Sequence, residues 1–379
     1  MANILSDDAV IERIFHHIDN KSTDLGDNDW QEPTTNYSCP DRFKQEQELF
    51  KRLPLPFCPV AALPDVGSYV ARLAAGVPIV AVRGEDGVIR AFRNACRHRG
   101  VKLAEGQGCT KTFVCGYHGW MYHLDGRLRH IPAEKGGFPG LDREAHGLVP
   151  VTVTERAGLV WVTQEEPVTD GAFADLPDLI GPEQVMIDAV EFEFDVNWKL
   201  FAEAGMEGYH IKMTHRESFY PYGFDNLNVI ETFGPNSRIT FPFKRIEKLR
   251  DVPREDWKID GLATYAYHLF PNVLVVMLSH HTAVQIAEPI SPTRTKYIRY
   301  RLTNRGTDGS REVIAKAKRD ADFVANTGNI EDRDVTLKIQ EGMASGANTH
   351  FTYGRFEKAI VHFHKSMDKM LAKMPPQVS

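Results

Sequence analysis

Cys96-Arg97-His98 is followed, after sixteen intervening residues, by Cys115-Gly116-Tyr117-His118. Each short segment sets one thiolate and one imidazole on a single loop, and two such loops can close around a metal. A structural zinc would accept two thiolates and two imidazoles, although zinc loops usually repeat one spacing and rarely favour Cys-x-His. The same four groups also suit a two-iron cluster in which both Cys hold one iron and both His the other. One Cys paired with one His on each loop favours the second assignment.

That division of ligands is the one a Rieske [2Fe-2S] centre uses. A second set of donors lies in the segment from Asn197 through Glu203, Glu207 and His210 to His215. If 197–210 is helical, Glu203, Glu207 and His210 share a face, because steps of four and three return to nearly the same azimuth. The five-residue step to His215 does not. The two histidines can meet on one metal only if the helix ends or bends between them, and Gly208 and Thr214 permit that. Two His with a distant carboxylate would make the facial triad of a non-haem Fe(II) site. Taken alone, two His five apart are more often unrelated.

The elements that must position these groups divide the chain. Residues 1–53 read as helix, polar loop and helix, with Asp41 as a helix cap before Arg42–Leu53. From 54 to 166 the texture is short strands, at Ser68–Leu73, Val77–Val82, Val88–Arg93 and Gly158–Val162, with Glu85-Asp86-Gly87 and Asp125-Gly126 as turns. This is a small all-β domain carrying both Cys/His loops. The acidic, proline-punctuated stretch Glu166–Pro182 marks the boundary to a third segment, 167–379. There the fold is α+β, with strands at Ala189–Phe194, Asn228–Thr232, Ile239–Phe243, Leu269–Met277, Thr282–Pro289 and Thr295–Thr303 forming one antiparallel sheet. Helices are expected over Arg311–Asn326, Glu331–Gly342 and Arg355–Lys373, the last with an apolar stripe suited to packing on that sheet.

Composition narrows the function. The chain has 379 residues, 42% hydrophobic and 25% charged, with a formal net charge of -6. An acidic balance argues against nucleic-acid binding, which rests on clustered Lys and Arg. No apolar run reaches a membrane span. The five cysteines are odd in number and confined to the first third, which is no disulfide framework. Met1 to Phe15 lacks the pattern of a secretory signal. A cytoplasmic protein is the expectation.

With both constellations in view, the chain from about 54 to about 373 resembles the large (alpha) subunit of Rieske non-haem iron oxygenases, the ring-hydroxylating and demethylating family. The resemblance rests on Cys96-x-His98 with Cys115-x-x-His118, and on Asn197-Trp198-Lys199-Leu200 leading into Tyr209-His210 and His215. It implies a small all-β Rieske domain joined to a helix-grip (START-like) catalytic domain with an antiparallel sheet and a long C-terminal helix. It also implies that His210 and His215 hold a mononuclear Fe(II) with a carboxylate about eight residues before a Gln. Ahead of Gln340 that residue is Asp332, with Glu331 as the second choice. Glu207 takes the place of the usual Asp that bridges the cluster of one subunit to the iron of the next, and Ala204 replaces the usual Asn. A Glu at this position resembles the branch acting on quaternary ammonium compounds such as carnitine.

The implied function is the oxygenase component of a multicomponent system: dioxygen and electrons are used to hydroxylate or demethylate a small organic, aromatic substrate, as in aromatic hydrocarbon catabolism. A quaternary ammonium substrate is the alternative. The chain has no nucleotide or flavin fingerprint, and Gly136-Gly137-x-x-Gly140 is loop punctuation, so NAD(P)H must act through a flavin-dependent reductase or a ferredoxin. A homotrimer is implied, because electrons must cross between subunits. Met206, Phe219, Tyr220, Tyr222, Phe241, Phe243, Tyr265, Tyr267 and Met277 are the expected pocket aromatics and methionines. Two non-enzymatic readings compete: a Rieske electron carrier, and a ligand-binding helix-grip module.

Overall fold

The computed structural model describes residues 4–375 except 170–172 and 174. Part of the expected boundary at 166–182, the first three residues of the N-terminal segment and the last four of the chain thus lie outside the described residues. Two compact units are present: residues 50–167 form one, and the N-terminal residues to Leu49 join Val168 onward in the other.

In the first unit a seven-stranded sheet runs in the order Leu55–Pro59, Leu159–Thr163, Pro150–Arg156, Ile89–Arg93, Val77–Arg83, Ser68–Ala74 and Gly106–Cys109. Beside it, Phe113–Val114, Met121–Tyr122 and Leu128–His130 make a three-stranded sheet. Alternation along Val80, Val82 and Phe92 buries one face against Trp120, Tyr122, Leu128 and Leu148. Cys96 and Cys115 sit in that same core, each 3% exposed.

The second unit is built on another seven-stranded antiparallel sheet. Its order is Met186–Phe194, Arg294–Thr303, His281–Ser291, Val273–Met277, Ala263–Leu269, Asn236–Pro242 and Val229–Phe233. The expected single strand Leu269–Met277 is in fact the end of one strand and all of the next. Between them the chain turns through Phe270-Pro271-Asn272, where the proline has no N–H for a ladder. The Lys358–Leu371 helix packs on the Val229–Phe233 and Asn236–Pro242 strands, with Ile360, Phe363 and Met367 buried. Asp41 is not a cap: the helix begins at Pro40, a favoured first position, and Asp41 lies in its first turn.

The helix expected over 197–210 ends much earlier. Asn197 caps it by accepting from the Lys199 amide at 3.0 Å, and it stops at Ala204 ahead of Gly205. Burial anchors it at both ends. Lys199, 1% exposed, places its Nζ 2.8 and 2.7 Å from the two Glu46 oxygens. Glu203 turns into the interior, accepting from Tyr37 Oη at 2.8 Å, His364 Nε2 at 2.9 Å and Tyr353 Oη at 2.9 Å. Burial opposes a charged His364, but Glu203 and Glu32 outweigh it and raise the ring to about 8. Replacing Lys199 by Met is expected to cost about 3–5 kcal/mol in urea unfolding, since Glu46 would lose its closest cation and keep a buried charge held by Arg42 and the Trp198 indole N–H. A loss within 1 kcal/mol of zero would show that the pair adds no net stability.

Candidate metal centres and active site

The two Cys/His loops share one backbone design. In the first, Cys96 N–H donates to Val101 O and Gly100 N–H to Cys96 O, both at 2.8 Å. In the second, Cys115 N–H donates to Trp120 O at 2.8 Å and Gly119 N–H to Cys115 O at 3.0 Å. Gly100 and Gly119 both close their loops at positive φ, 78° and 73°, which a side chain would resist. The loops bring the four side chains together as two pairs. Cys96 and Cys115 belong to the same buried core cluster, while the His98 and His118 rings stand 4.7 Å apart toward solvent. Among the described residues these four do not gather around one point, which suits a two-iron cluster better than a single zinc. Tyr122 supports them from behind, its hydroxyl 3.3 Å from Cys96 Sγ and accepting from the Arg97 amide at 2.9 Å. Nothing in its spacing marked Tyr122 as part of this site.

In the other unit three donors do converge. After the helix ends at Ala204 the chain passes through Gly208, where a Cβ would fall 2.3 Å from Asn228 Oδ1, and a short turn of helix follows at Ile211–Thr214. That detour brings His210 and His215 to one place, with Nε2 atoms 3.2 Å apart. Asp332 arrives from the helix Gly328–Met343, its Oδ1 2.9 Å from His215 Nε2 and 3.5 Å from His210 Nε2. The helix can come this close because Gly328 has no side chain; a Cβ would meet the Phe219 ring at 2.1 Å, and that ring packs on His215. Gln340, farther along the same helix, accepts from the Asn197 amide at 2.8 Å.

Partners on the far side of each ring set its tautomer. His210 Nδ1 donates to Glu207, whose other oxygen accepts from the Tyr209 and His210 amides. His215 Nδ1 donates to Glu331 Oε2 at 2.7 Å, and Ser218 Oγ donates to the same oxygen at 2.5 Å. Both Nε2 lone pairs are therefore turned toward Asp332 Oδ1, a buried oxygen that makes no hydrogen bond. Three acceptors facing one another repel unless a cation lies between them. Ligands about 2.1 Å from a metal and at right angles stand about 3 Å apart, so the separations found here fit. Charge in the site points the same way. Without a metal, burial opposes an imidazolium at His210 but Asp332 and Glu207 outweigh it and raise the ring to about 10, so that a proton competes for the place of the cation. Burial would raise Asp332, yet the two histidines hold it below the ordinary aspartate value. Glu331, the second choice for this position, stands behind His215 instead.

A cavity of about 320 Å³ opens beside these residues, between them and one face of the large sheet. Phe219, Tyr222, Phe241 and Phe243 line it as expected. Tyr265, Tyr267 and Met277 do not. They occupy the other set of alternate positions, where the two tyrosines stack on Arg238. Met206 and Tyr220 also lie off the lining. Unforeseen in the sequence are Arg299, Arg301, Gln285 and His281, which face this cavity from neighbouring strands. The signal was present in Tyr297–Thr303, where arginines alternate with Ile298, Tyr300 and Leu302.

Residues 183–373, half of the chain, match the family model of the ring-hydroxylating alpha subunit, catalytic domain. This chain belongs to that family, the Rieske non-haem iron oxygenases. Residues 54–153 of this Rieske oxygenase match the Rieske [2Fe-2S] domain. A glycine betaine monooxygenase oxygenase subunit from Chromohalobacter salexigens is 36% identical over 193 residues, 49% of this chain and 43% of its own. Spinach (Spinacia oleracea) choline monooxygenase is 27% identical over 301 residues, covering 74% of this chain and 64% of that one. The matched segments thus span less than two thirds of these relatives. In fold, the chain is similar to a quaternary ammonium Rieske monooxygenase (TM-score 0.77, 21% identity, covering 98% and 99% of the two chains). It is equally similar to naphthalene 1,2-dioxygenase from Rhodococcus sp. (0.77, 18%, 97% and 99%).

Proposed function

We propose that this protein is the oxygenase component of a multicomponent system, taking electrons from an NAD(P)H-dependent flavin reductase, directly or through a ferredoxin, and using dioxygen to hydroxylate or oxidatively demethylate a small organic substrate. The observation that carries this reading is the convergence of His210, His215 and Asp332 at the wall of a cavity with several aromatic side chains. In this reading residues 54–166 accept electrons through a cluster held by Cys96, His98, Cys115 and His118, residues 167–379 hold the mononuclear iron, and residues 1–53 pack as an arm. When bound, the cluster stores one electron at a time and the iron offers open positions to dioxygen.

The chain's own residues orient and exclude. Glu207 keeps the proton of His210 on Nδ1, and Glu331 does the same for His215, so neither ring can turn. The ring of Phe219 covers His215, and the sheet face holds the substrate near the triad by shape. We read Glu207 as the link through which a neighbouring subunit's cluster reaches His210 in a homotrimer. Exposed apolar side chains beside both ends support a contact of this kind: Tyr117 is 54% exposed, Tyr209 60% and Met213 78%. We read the setting as cytoplasmic from cysteine usage, an odd number confined to the first third of the chain. Among the described residues no helix is long and apolar enough to cross a membrane.

For the substrate, the aromatic wall suits either an aromatic ring or a quaternary ammonium group. Glu207 and the names of the betaine and choline relatives favour the ammonium compound over the aromatic one. Metal analysis tests the whole proposal. About three irons and two acid-labile sulfides per chain are expected; two irons would leave only an electron carrier, none a binding module, and one zinc a structural site. Replacing Cys96 by Ser is expected to remove the cluster's visible absorption and about two of the three irons, while the third remains. Retention of the absorption would exclude Cys96 as a ligand.

A further inference from the structure

Two arginines, Arg299 and Arg301, lie two residues apart on one strand and face the cavity. Arg301 is neutralised: Nε donates to Asp188 Oδ1 at 2.6 Å and Nη1 to Asp322 Oδ1 at 3.0 Å. Arg299 is not. It is 6% exposed, its Nε is buried with no hydrogen-bond partner, and among the described residues no carboxylate forms an ion pair with it. Its direct neighbours across the strands are Val190 and Gln285, and the Phe192 ring lies 5.1 Å from Cζ. Burial and the adjacent Arg301 lower its pKa to about 10, against a partial offset from the Asp332 carboxylate, which makes no ion pair with it; Arg299 stays charged at neutral pH.

A buried guanidinium without a counter-charge is strongly unfavourable, and a protein keeps one where something else neutralises it. The carboxylates lining the cavity are committed elsewhere. Glu207 holds His210 and Asp332 faces both triad histidines, while Asp320 accepts from His281 Nδ1 at 2.7 Å and from the His280 amide at 3.1 Å. The missing anion must therefore come with the ligand.

Resting on the reading of this cavity as the substrate site, we propose that Arg299 binds a carboxylate of the substrate, so that among quaternary ammonium compounds the protein selects a betaine-type zwitterion over an amino alcohol. The planar guanidinium matches a carboxylate with two parallel N–H donors. Gln285, directly opposite on the next strand and lining the same cavity, offers an amide N–H to the same group.

Calorimetric titration of the metal-loaded protein with four probes tests this: glycine betaine and choline, benzoate and benzyl alcohol. Each acid that fits is expected to bind about 30-fold more tightly than its alcohol. Arg299→Gln is expected to abolish that preference without weakening the alcohols, and Arg299→Lys to keep part of it. Alcohols that bind as tightly as acids, binding of neither acid, or a preference surviving in Arg299→Gln would each overturn the assignment. The wild-type comparison stands even if the variants do not fold. Preference for both ammonium probes with no acid preference would remove the role of Arg299 and leave the substrate reading intact. A preference for benzoate over benzyl alcohol, with neither ammonium probe bound, would do the reverse.

Discussion

Replacing Asp332 with Ala is expected to release the mononuclear iron and abolish turnover while leaving the cluster in place. The loss should be large because Asp332 supplies the one anion among three convergent donors. Its Oδ1 is 2.9 Å from His215 Nε2 and forms no hydrogen bond that a water-filled gap could readily replace. Removing an outer-shell partner typically costs 10–100-fold in metal affinity, and loss of a ligand should exceed that. The measurement is iron content alongside the electron paramagnetic resonance spectrum of the reduced cluster. About one iron in three should be missing, with the cluster signal unchanged. A full iron complement in Asp332→Ala would remove Asp332 from the ligand set. Glu331→Gln provides a contrast: its side chain stands behind His215, so weakened rather than lost iron is expected, by about 10–100-fold.

Glu207→Gln should have the second largest effect, on rate rather than on occupancy. The Glu207 carboxylate accepts three hydrogen bonds at once, from His210 Nδ1 and from two backbone amides. A glutamine has one acceptor oxygen, so its NH2 would be set against an N–H donor on one side or the other. The ring of His210 would then lose either its tautomer or its orientation. At saturating iron both metal centres should remain loaded. Reoxidation of the reduced cluster in a single turnover, with substrate and dioxygen present, should slow by about 100-fold, the scale of outer-shell changes at metal sites. Unchanged single-turnover kinetics would refute the linking role, and sedimentation of an active monomer would refute the trimer it requires.

The two metal centres differ in how far sequence could describe them. Cys96, His98, Cys115 and His118 lie on two tight loops whose hydrogen bonds close within six residues, so spacing alone brings each pair together. His210 and His215 were legible as residues but not as a pair. Helical periodicity places them on different faces, and only the early stop at Ala204 and the turn around Gly208 let them meet. Asp332 was reached through resemblance, since no local rule links it to a histidine more than a hundred residues earlier. The resemblance put it ahead of Glu331; the helix packed against Phe219 turns Asp332 toward the two histidine Nε2 atoms and Glu331 behind His215.

The pocket separates the two levels most clearly. Strand alternation in Tyr297–Thr303 and Thr264–Tyr267 is visible in the sequence, but which set of alternate residues faces the cavity is decided by what covers each side of the sheet. Tyr265 and Tyr267 fell on the far side for that reason, and Arg299 and Arg301 on the near one. Sequence by itself determined the chemistry available: two Cys/His loops, a His pair, an acidic helix start and an α+β frame. Tertiary structure decided which charges are matched. Among the described residues Arg301 forms ion pairs with two carboxylates and Arg299 with none, because ion pairing depends on distances across strands and helices that spacing along the chain does not encode.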